Sequence, residues 1–373
     1  MAKMDDTNKN LQVFYKVRGD ASSIEERAKA IAIEQSVETP LAAIRDPGIL
    51  ADFVGKVSAI IEGRDGWFDV EIELAAETVG ADPGQLLNML FGNASLYDDV
   101  ILEDAVFPAS LLRIFEGPRH GTKGFFNRMV GRERALTCSA LKPQGLCPEE
   151  LARLAYHLAL GGIDYVKDDH GIADQSYSPF AQRVPACAAA VRKAAGSSGI
   201  VTRYVPNLSG NQRQIEGQLA IARAEGLDTV MIAPMLAGVP AFWALKQAHP
   251  DFAFIAHPAM TGAARVSPYV SAKLFRLFGA DAVIFPNPGG RFGYNEACCG
   301  KIVVALRGPI DGLLASLPVP AGGMSLARVP ELLAYYGREA MLLIGGALLS
   351  VPLERLAEET AAFVRAVADY RFE

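Results

Sequence analysis

The pattern of apolar and polar positions changes once along the chain. Over residues 11–18 apolar and polar side chains alternate, as in a half-buried strand. Residues 24–33 then follow a helical spacing, opened by Ser23 with Glu26 three positions on, the spacing of a capping box. Residues 54–62 and 67–74 read as strands around a turn at Gly63 to Gly66. Asp82 and Pro83 open a helix that runs to Phe91. The first ten residues are polar and read as a frayed tail. This part is predicted to be a small α+β module.

Beyond residue 134 continuous apolar, β-branched runs recur with amphipathic helices between them. The predicted strands are 135–140, 162–167, 199–205, 228–232, 252–257, 282–285, 317–320 and 341–344. Uninterrupted apolar strands alternating with helices imply a parallel sheet buried on both faces. Eight such units in about 240 residues imply a closed barrel. The competing open, doubly wound sheet should carry GxGxxG after its first strand, and the chain has none. The expected fold is therefore α/β. An N-terminal α+β (ferredoxin-like) domain spans 1–120, a glycine-rich, charged connection 121–134, and a C-terminal (β/α)8 TIM barrel 135–373.

Composition narrows the function classes. Of 373 residues half are hydrophobic, enough for a large core. Lys and Arg number 36 against 42 Asp and Glu, a net charge of −6 with no dense basic stripe, which argues against nucleic-acid binding. Five cysteines, an odd number without CxxC, fit a reducing compartment rather than a disulfide scaffold. The N-terminus lacks an apolar signal region, and the apolar stretch 340–349 is shorter than the ~20 residues a membrane span needs. A cytoplasmic protein without membrane contact is expected.

Barrel enzymes place their chemistry where strands end. Here those ends carry Lys142, then Lys167-Asp168-Asp169-His170, then His257, then a proline-glycine loop reaching Arg291, then Gly322-Gly323 and finally Gly345-Gly346. A lysine after a strand is ordinarily solvated, and an aspartate pair can cap a helix. Lys167 is different, because it closes an apolar run and a buried lysine needs a partner. Paired glycines after the last two strands suit a phosphate cradle of backbone N–H groups.

These motifs resemble the large subunit of ribulose-bisphosphate carboxylase (RuBisCO). Lys142-Pro143 with Gly145-Leu146, and Gly161-Gly162-Ile163-Asp164-Tyr165-Val166-Lys167-Asp168-Asp169, look like the family's active-site motifs. Glu34 to Thr39, Gly92-Asn93, and Glu116-Gly117-Pro118-Arg119-His120-Gly121 look like its N-terminal segments. Gln175 and Phe180 loosely match a further motif, and the stretch from Asp281 to Gly290 aligns with the loop before the family's mobile lysine. The resemblance implies a carbamylated Lys167, formed with CO2. With Asp169 and His170 it would hold Mg2+, or Mn2+ or another divalent cation. It also implies catalytic roles for Lys142, His257, Arg291, Glu34 and Asn93. A phosphate site would be formed by Thr39, Gly322, Gly323, Gly345 and Gly346. The family's active unit is a homodimer in which Glu34, Thr39 and Asn93 close over the partner's barrel; no small subunit is expected.

The departures from the family decide the expected activity. His170 replaces an acidic ligand, and KPQG lacks the first motif's second lysine. Pro258, Thr261, Ile284 and Ala321 stand where the family grips a second phosphate, and Arg291 replaces the mobile lysine. One phosphate pocket is kept and the other is dismantled. This is the pattern of type IV, RuBisCO-like proteins, which do not fix CO2. The resemblance then implies metal-assisted enolisation, isomerisation or decarboxylation of a monophosphorylated keto-sugar or keto-acid. The alternative is a catalytically silent protein that binds a phosphorylated metabolite.

Overall fold

The structure, a computed structural model, describes residues 9–129 and 131–372. The tail read over the first ten residues falls largely outside the described residues, and Asn10 already lies in a strand. The chain forms two compact units. One comprises the described residues up to Gly117 together with Met260–Phe278 and Pro309–Leu313; the other comprises Pro118–Ala259, Gly279–Gly308 and the chain from Leu314 onward.

In the first unit, β1 (Asn10–Arg18), β2 (Lys56–Glu62), β3 (Trp67–Ala75) and β4 (Val100–Val106) form an antiparallel sheet in the order β2-β3-β1-β4. The helix Ile24–Glu34 joins β1 to β2, and the helix Pro83–Phe91 lies between β3 and β4. This is the expected ferredoxin-like order. Leu11, Val13, Tyr15 and Val17 alternate into the core, and the Tyr15 hydroxyl donates to the Leu90 carbonyl at 2.6 Å. The Asp82 carboxylate caps its helix, accepting from the Gly84 N–H at 2.7 Å. Ser23 does not: it sits at φ −121°, ψ −13°, makes no side-chain cap bond, and donates instead to the Asp20 carbonyl at 3.4 Å. The capping box expected there is therefore not formed. Strand β4, formed by residues 100–106, was not among the strands read from the sequence. Its pairing with β1 shifts register opposite Phe14 and Tyr15, passing over Glu103, so its buried positions (100, 102, 105) break the period of two.

The second unit is the barrel. Its strands are β5 (Leu136–Leu141), β6 (Tyr165–Asp168), β7 (Arg203–Val205), β8 (Asn207–Leu208), β9 (Thr229–Ile232), β10 (Ala253–Ala256), β11 (Ala282–Pro286), β12 (Leu317–Ala321) and β13 (Met341–Leu343). The order is β7-β6-β5-β13-β12-β11-β10-β9-β8, parallel throughout. The ends of that list, β7 and β8, are one strand interrupted at Pro206, so eight strands close the ring. Proline has no N–H for the ladder, though its carbonyl still accepts from Met231 at 2.9 Å. All eight expected strands are present, with ends shifted by a few residues.

Inward side chains fill the barrel: Leu136, Cys138, Tyr165, Val205, Met231, Ile255, Ile284, Val319 and Leu343 belong to one buried cluster. The floor is pinned by buried carboxylates. Asp164 accepts from the Thr137 N–H and hydroxyl, both at 2.8 Å, and pairs with Arg132 at 3.0 Å and Arg134 at 2.7 Å. Asp281 accepts backbone N–H groups of His120, Gly121 and Phe254. Among the described residues no helix is long and apolar enough to cross a membrane.

Candidate active site

Alternation along β6 sets what reaches the barrel mouth. Tyr165 lies in the core, Lys167 one layer higher, and Asp169 just past the strand end, while Val166 and Asp168 face outward. Lys142 follows β5, the neighbouring strand, and its Nζ lies 3.1 Å from Asp169 Oδ1. His170 Nδ1 is 3.5 Å from the same oxygen. The His170 ring stacks on His257, which follows β10, with centroids 4.0 Å apart and planes 12° from parallel. His257 Nδ1 accepts the Ala259 N–H at 3.1 Å, which leaves Nε2 as its proton-bearing nitrogen in the neutral ring.

Lys167 is only 3% exposed and donates to the Asp168 carbonyl at 3.0 Å. A direct Lys167–Asp169 ion pair, the simplest account of a lysine on this strand, is replaced by the pair of Asp169 with Lys142. Burial lowers the Lys167 pKa and so favours the neutral amine. Burial would raise Asp169, but the hydrogen bond from His170 and the charges of Lys167 and Lys142 outweigh it and hold the carboxyl below the usual carboxylate range. Burial, reinforced by Lys167 and His170, pushes His257 down to about 2, so its ring is neutral.

Whether these residues suit a cation turns on Lys167. Among the described residues no group of three His, Cys, Asp or Glu side chains is placed to hold a metal ion. Asp168 is fully buried and taken: it accepts from Arg183 Nε at 3.2 Å, the Tyr204 hydroxyl at 2.7 Å and the Asn207 N–H at 3.1 Å. An ammonium at Lys167 repels a divalent cation, whereas a carbamate supplies oxygen. Were Lys167 carbamylated, it would join Asp169 and His170 in a mixed oxygen–nitrogen donor set of the kind that suits a divalent cation. Its imidazole suits Mn2+, Fe2+ or Zn2+ better than Mg2+.

The other expected site residues stand at further strand ends of the barrel. Gly322 and Gly323 form an exposed turn after β12 with φ of +81° and +65°. A side chain on Gly323 would fall 2.6 Å from the Gly290 Cα, so the two glycine loops interlock. Gly345 and Gly346 follow β13, with open space around both. Arg291 is exposed in the loop after β11, its guanidinium over the Phe292 ring at 5.3 Å. Ile284 is 3% exposed in the barrel core and Ala321 packs against that core.

In the first unit, Asn93 Nδ2 donates to Glu34 Oε1 at 2.7 Å, and Thr39 follows half-buried. Gln35, which the sequence reading passed over, ties these segments together. Its amide donates to the Asn88 and Met89 carbonyls and accepts from the Ala94 N–H. Also missed were Arg183, Tyr204 and Asn207 behind the lysine motif; the proline inside the third strand was the signal available for Asn207.

The same architecture occurs in known proteins. Residues 122–366 match the sequence profile of the ribulose bisphosphate carboxylase large chain, catalytic domain. The chain is 54% identical to 5-methylthioribulose-1-phosphate isomerase of Rhodospirillum rubrum, over 96% of each chain. It is 31% identical to 2,3-diketo-5-methylthiopentyl-1-phosphate enolase of Geobacillus kaustophilus, over 75% of this chain and 71% of that one. The crystal structure of a RuBisCO-like protein from Rhodopseudomonas palustris superposes with a TM-score of 0.91 at 47% identity, covering 98% of this chain and 100% of the other. With the lysine–aspartate motif at the end of its second barrel strand, the chain belongs to the ribulose bisphosphate carboxylase large-chain family, within its RuBisCO-like branch.

Proposed function

We propose that the chain catalyses metal-assisted proton transfer beside the carbonyl of a monophosphorylated keto-sugar, an enolisation that ends in isomerisation, without fixing CO2. The observation that carries this reading is the cluster of Lys142, Asp169, His170 and His257 around buried Lys167 at the barrel mouth. The two relatives are named for an isomerase and an enolase, each with a singly phosphorylated substrate. That agrees with one retained glycine cradle and with Pro258, Ile284 and Ala321 at the positions of the second.

A carbamylated Lys167 with Asp169 and His170 would hold a divalent cation, which would supply Lewis-acid polarisation of the substrate carbonyl. Lys142, once deprotonated, takes the proton from the hydroxyl-bearing carbon beside the carbonyl as the electron pair moves to the carbonyl oxygen. That oxygen takes up a proton, the neighbouring hydroxyl loses one as it becomes the new carbonyl, and the Lys142 ammonium returns its proton to the former carbonyl carbon. Neutral His257 donates a hydrogen bond from Nε2 to a substrate oxygen. Gly322, Gly323, Gly345 and Gly346 present backbone N–H groups to the phosphate, and Arg291 lies on the loop that covers the site. Glu34, Thr39 and Asn93 complete it from a second copy of the chain in a homodimer. Leu41, Leu96 and Tyr97, close to those residues in sequence, are exposed apolar side chains that such a partner could cover.

Proton NMR in D2O tests the reading, with 5-methylthioribulose 1-phosphate, Mn2+ or Mg2+ and bicarbonate. The expected result is solvent exchange at a substrate C–H and conversion to an isomer, both lost in Lys167→Ala and Lys142→Ala. No exchange with any metal would refute it. Bicarbonate-dependent metal affinity, absent in Lys167→Ala, checks the carbamate, because only the neutral amine reacts with CO2. Acid-stable radiolabel from bicarbonate and ribulose bisphosphate would contradict the absence of CO2 fixation.

A further inference from the structure

The loop that carries Asp169 and His170 is held by the neighbouring barrel strand. Pro206 interrupts the third barrel strand, so the ladder with β6 ends at the Lys167–Val205 pair. The next residue, Asn207, is 2% exposed and turns its backbone N–H to the Asp168 carboxylate at 3.1 Å. Its side-chain amide donates to the carbonyls of His170 at 3.1 Å and Ile172 at 3.0 Å. Asp169 and His170 thus lie between two anchors made by one residue: Asp168 before them and the His170 carbonyl after them. Further along, Gln175 holds the Gly171 carbonyl at 2.8 Å. Arg183 holds those of Ala173 at 2.7 Å and Ser178 at 2.6 Å.

We infer that Asn207 is a positioning residue that sets the Asp169 carboxylate and the His170 imidazole, and through the ring stack the His257 imidazole, in the barrel mouth. The assignment rests on the proposed reading of Asp169 and His170 as site residues. Asn207 touches neither side chain; it acts by fixing the backbone that aims them. With the amide gone, two carbonyls lose their donors while the core beneath keeps its packing, so the effect is directional. Residues that orient metal ligands in this way typically change metal affinity by about 10–100-fold when removed.

The chain has five histidines, His120, His157, His170, His249 and His257, so imidazole-labelled protein gives a readable spectrum. In Asn207→Ala the signals of His170 and His257 are expected to move while those of His120, His157 and His249 stay. Mn2+ affinity in bicarbonate buffer, measured by calorimetry, is expected to fall at least 10-fold. Asn207→Ser, which leaves a smaller cavity and keeps the backbone bond to Asp168, is read the same way if the alanine variant does not fold. Tyr204→Phe serves as the structural control. It loses one bond to Asp168 but no loop carbonyl, and should leave all five signals in place. Unchanged His170 and His257 signals in both Asn207 variants, or equal displacement in Tyr204→Phe, would overturn the inference. Absence of Mn2+ binding by the unsubstituted protein counts against the metal reading alone, since the imidazole signals decide the role of Asn207 without metal.

Discussion

At the scale of single residues, burial decides which groups can react. Cys138 and Cys299 are buried, and desolvation pushes their thiols up to about 12 and about 11. Cys187 is buried and raised for the same reason. Raised pKa values mean little thiolate at pH 8, so these three should resist iodoacetamide in the native protein. Cys147 and Cys298 are half-exposed and should be modified, Cys147 slowly, because against the lowering Glu150 N–H the Glu149 carboxylate and partial desolvation raise its thiol as well. Mass spectrometry should count two labels before unfolding and five after; a third native label would mean that a buried site opens. Asp164 is the opposite case, a carboxylate with full compensation. Asp164→Ala leaves Arg134 and Arg132 without their partner and the Thr137 N–H without an acceptor. Breaking a buried pair from one side costs about 3–5 kcal/mol. Urea unfolding should show that loss as a lower midpoint, and a change under 1 kcal/mol would show that the floor of the barrel does not depend on it.

At the scale of elements, turns and strand ends separate folding from binding. A Cβ at Gly346 meets open space and the residue has no positive φ, so Gly346→Asp should fold with unchanged melting temperature. Its new carboxylate should repel a phosphate, and phosphate-ester affinity by calorimetry should fall at least tenfold. Unchanged affinity would remove this glycine from the phosphate site. Gly323→Ala should behave differently, because φ of +65° and the approach to Gly290 make the turn itself intolerant. Its loss should appear first in the melting temperature. The same contrast explains what could be read from sequence at this scale. All eight barrel strands stood out because buried parallel strands are continuous apolar runs. Strand β4 did not, because its bulge breaks the alternation, and the third strand was expected to stop at residue 205, so its continuation past Pro206 into Asn207 and Leu208 went unread.

At the scale of the whole molecule, the proposed homodimer rests on side chains that the single chain leaves to solvent. Leu96 is 82% exposed, close in sequence to Asn93, which bonds Glu34. Leu96, three residues from Asn93, is a side chain that the proposed partner would bury. Leu96→Asp should shift sedimentation from dimer to monomer and abolish turnover while leaving the circular dichroism unchanged. A dimer that persists would place the interface elsewhere.

Sequence alone determined the two-part architecture, the barrel and the lysine–aspartate motif, because each is written in local signals: the apolar period, cap and turn residues, and contiguous motif spacing. The family resemblance also marked Pro258, Ile284 and Ala321 as replaced positions, since a lost charge, imidazole or hydroxyl is visible residue by residue. Tertiary structure decided the rest. It assigned Asp169 to Lys142 rather than to Lys167, stacked His170 on His257 from strands far apart in the chain, and spent Asp168 on Arg183, Tyr204 and Asn207. None of these has a local signature. A carboxylate's partner depends on which strands are neighbours and which way each side chain points, and only the closed barrel settles both.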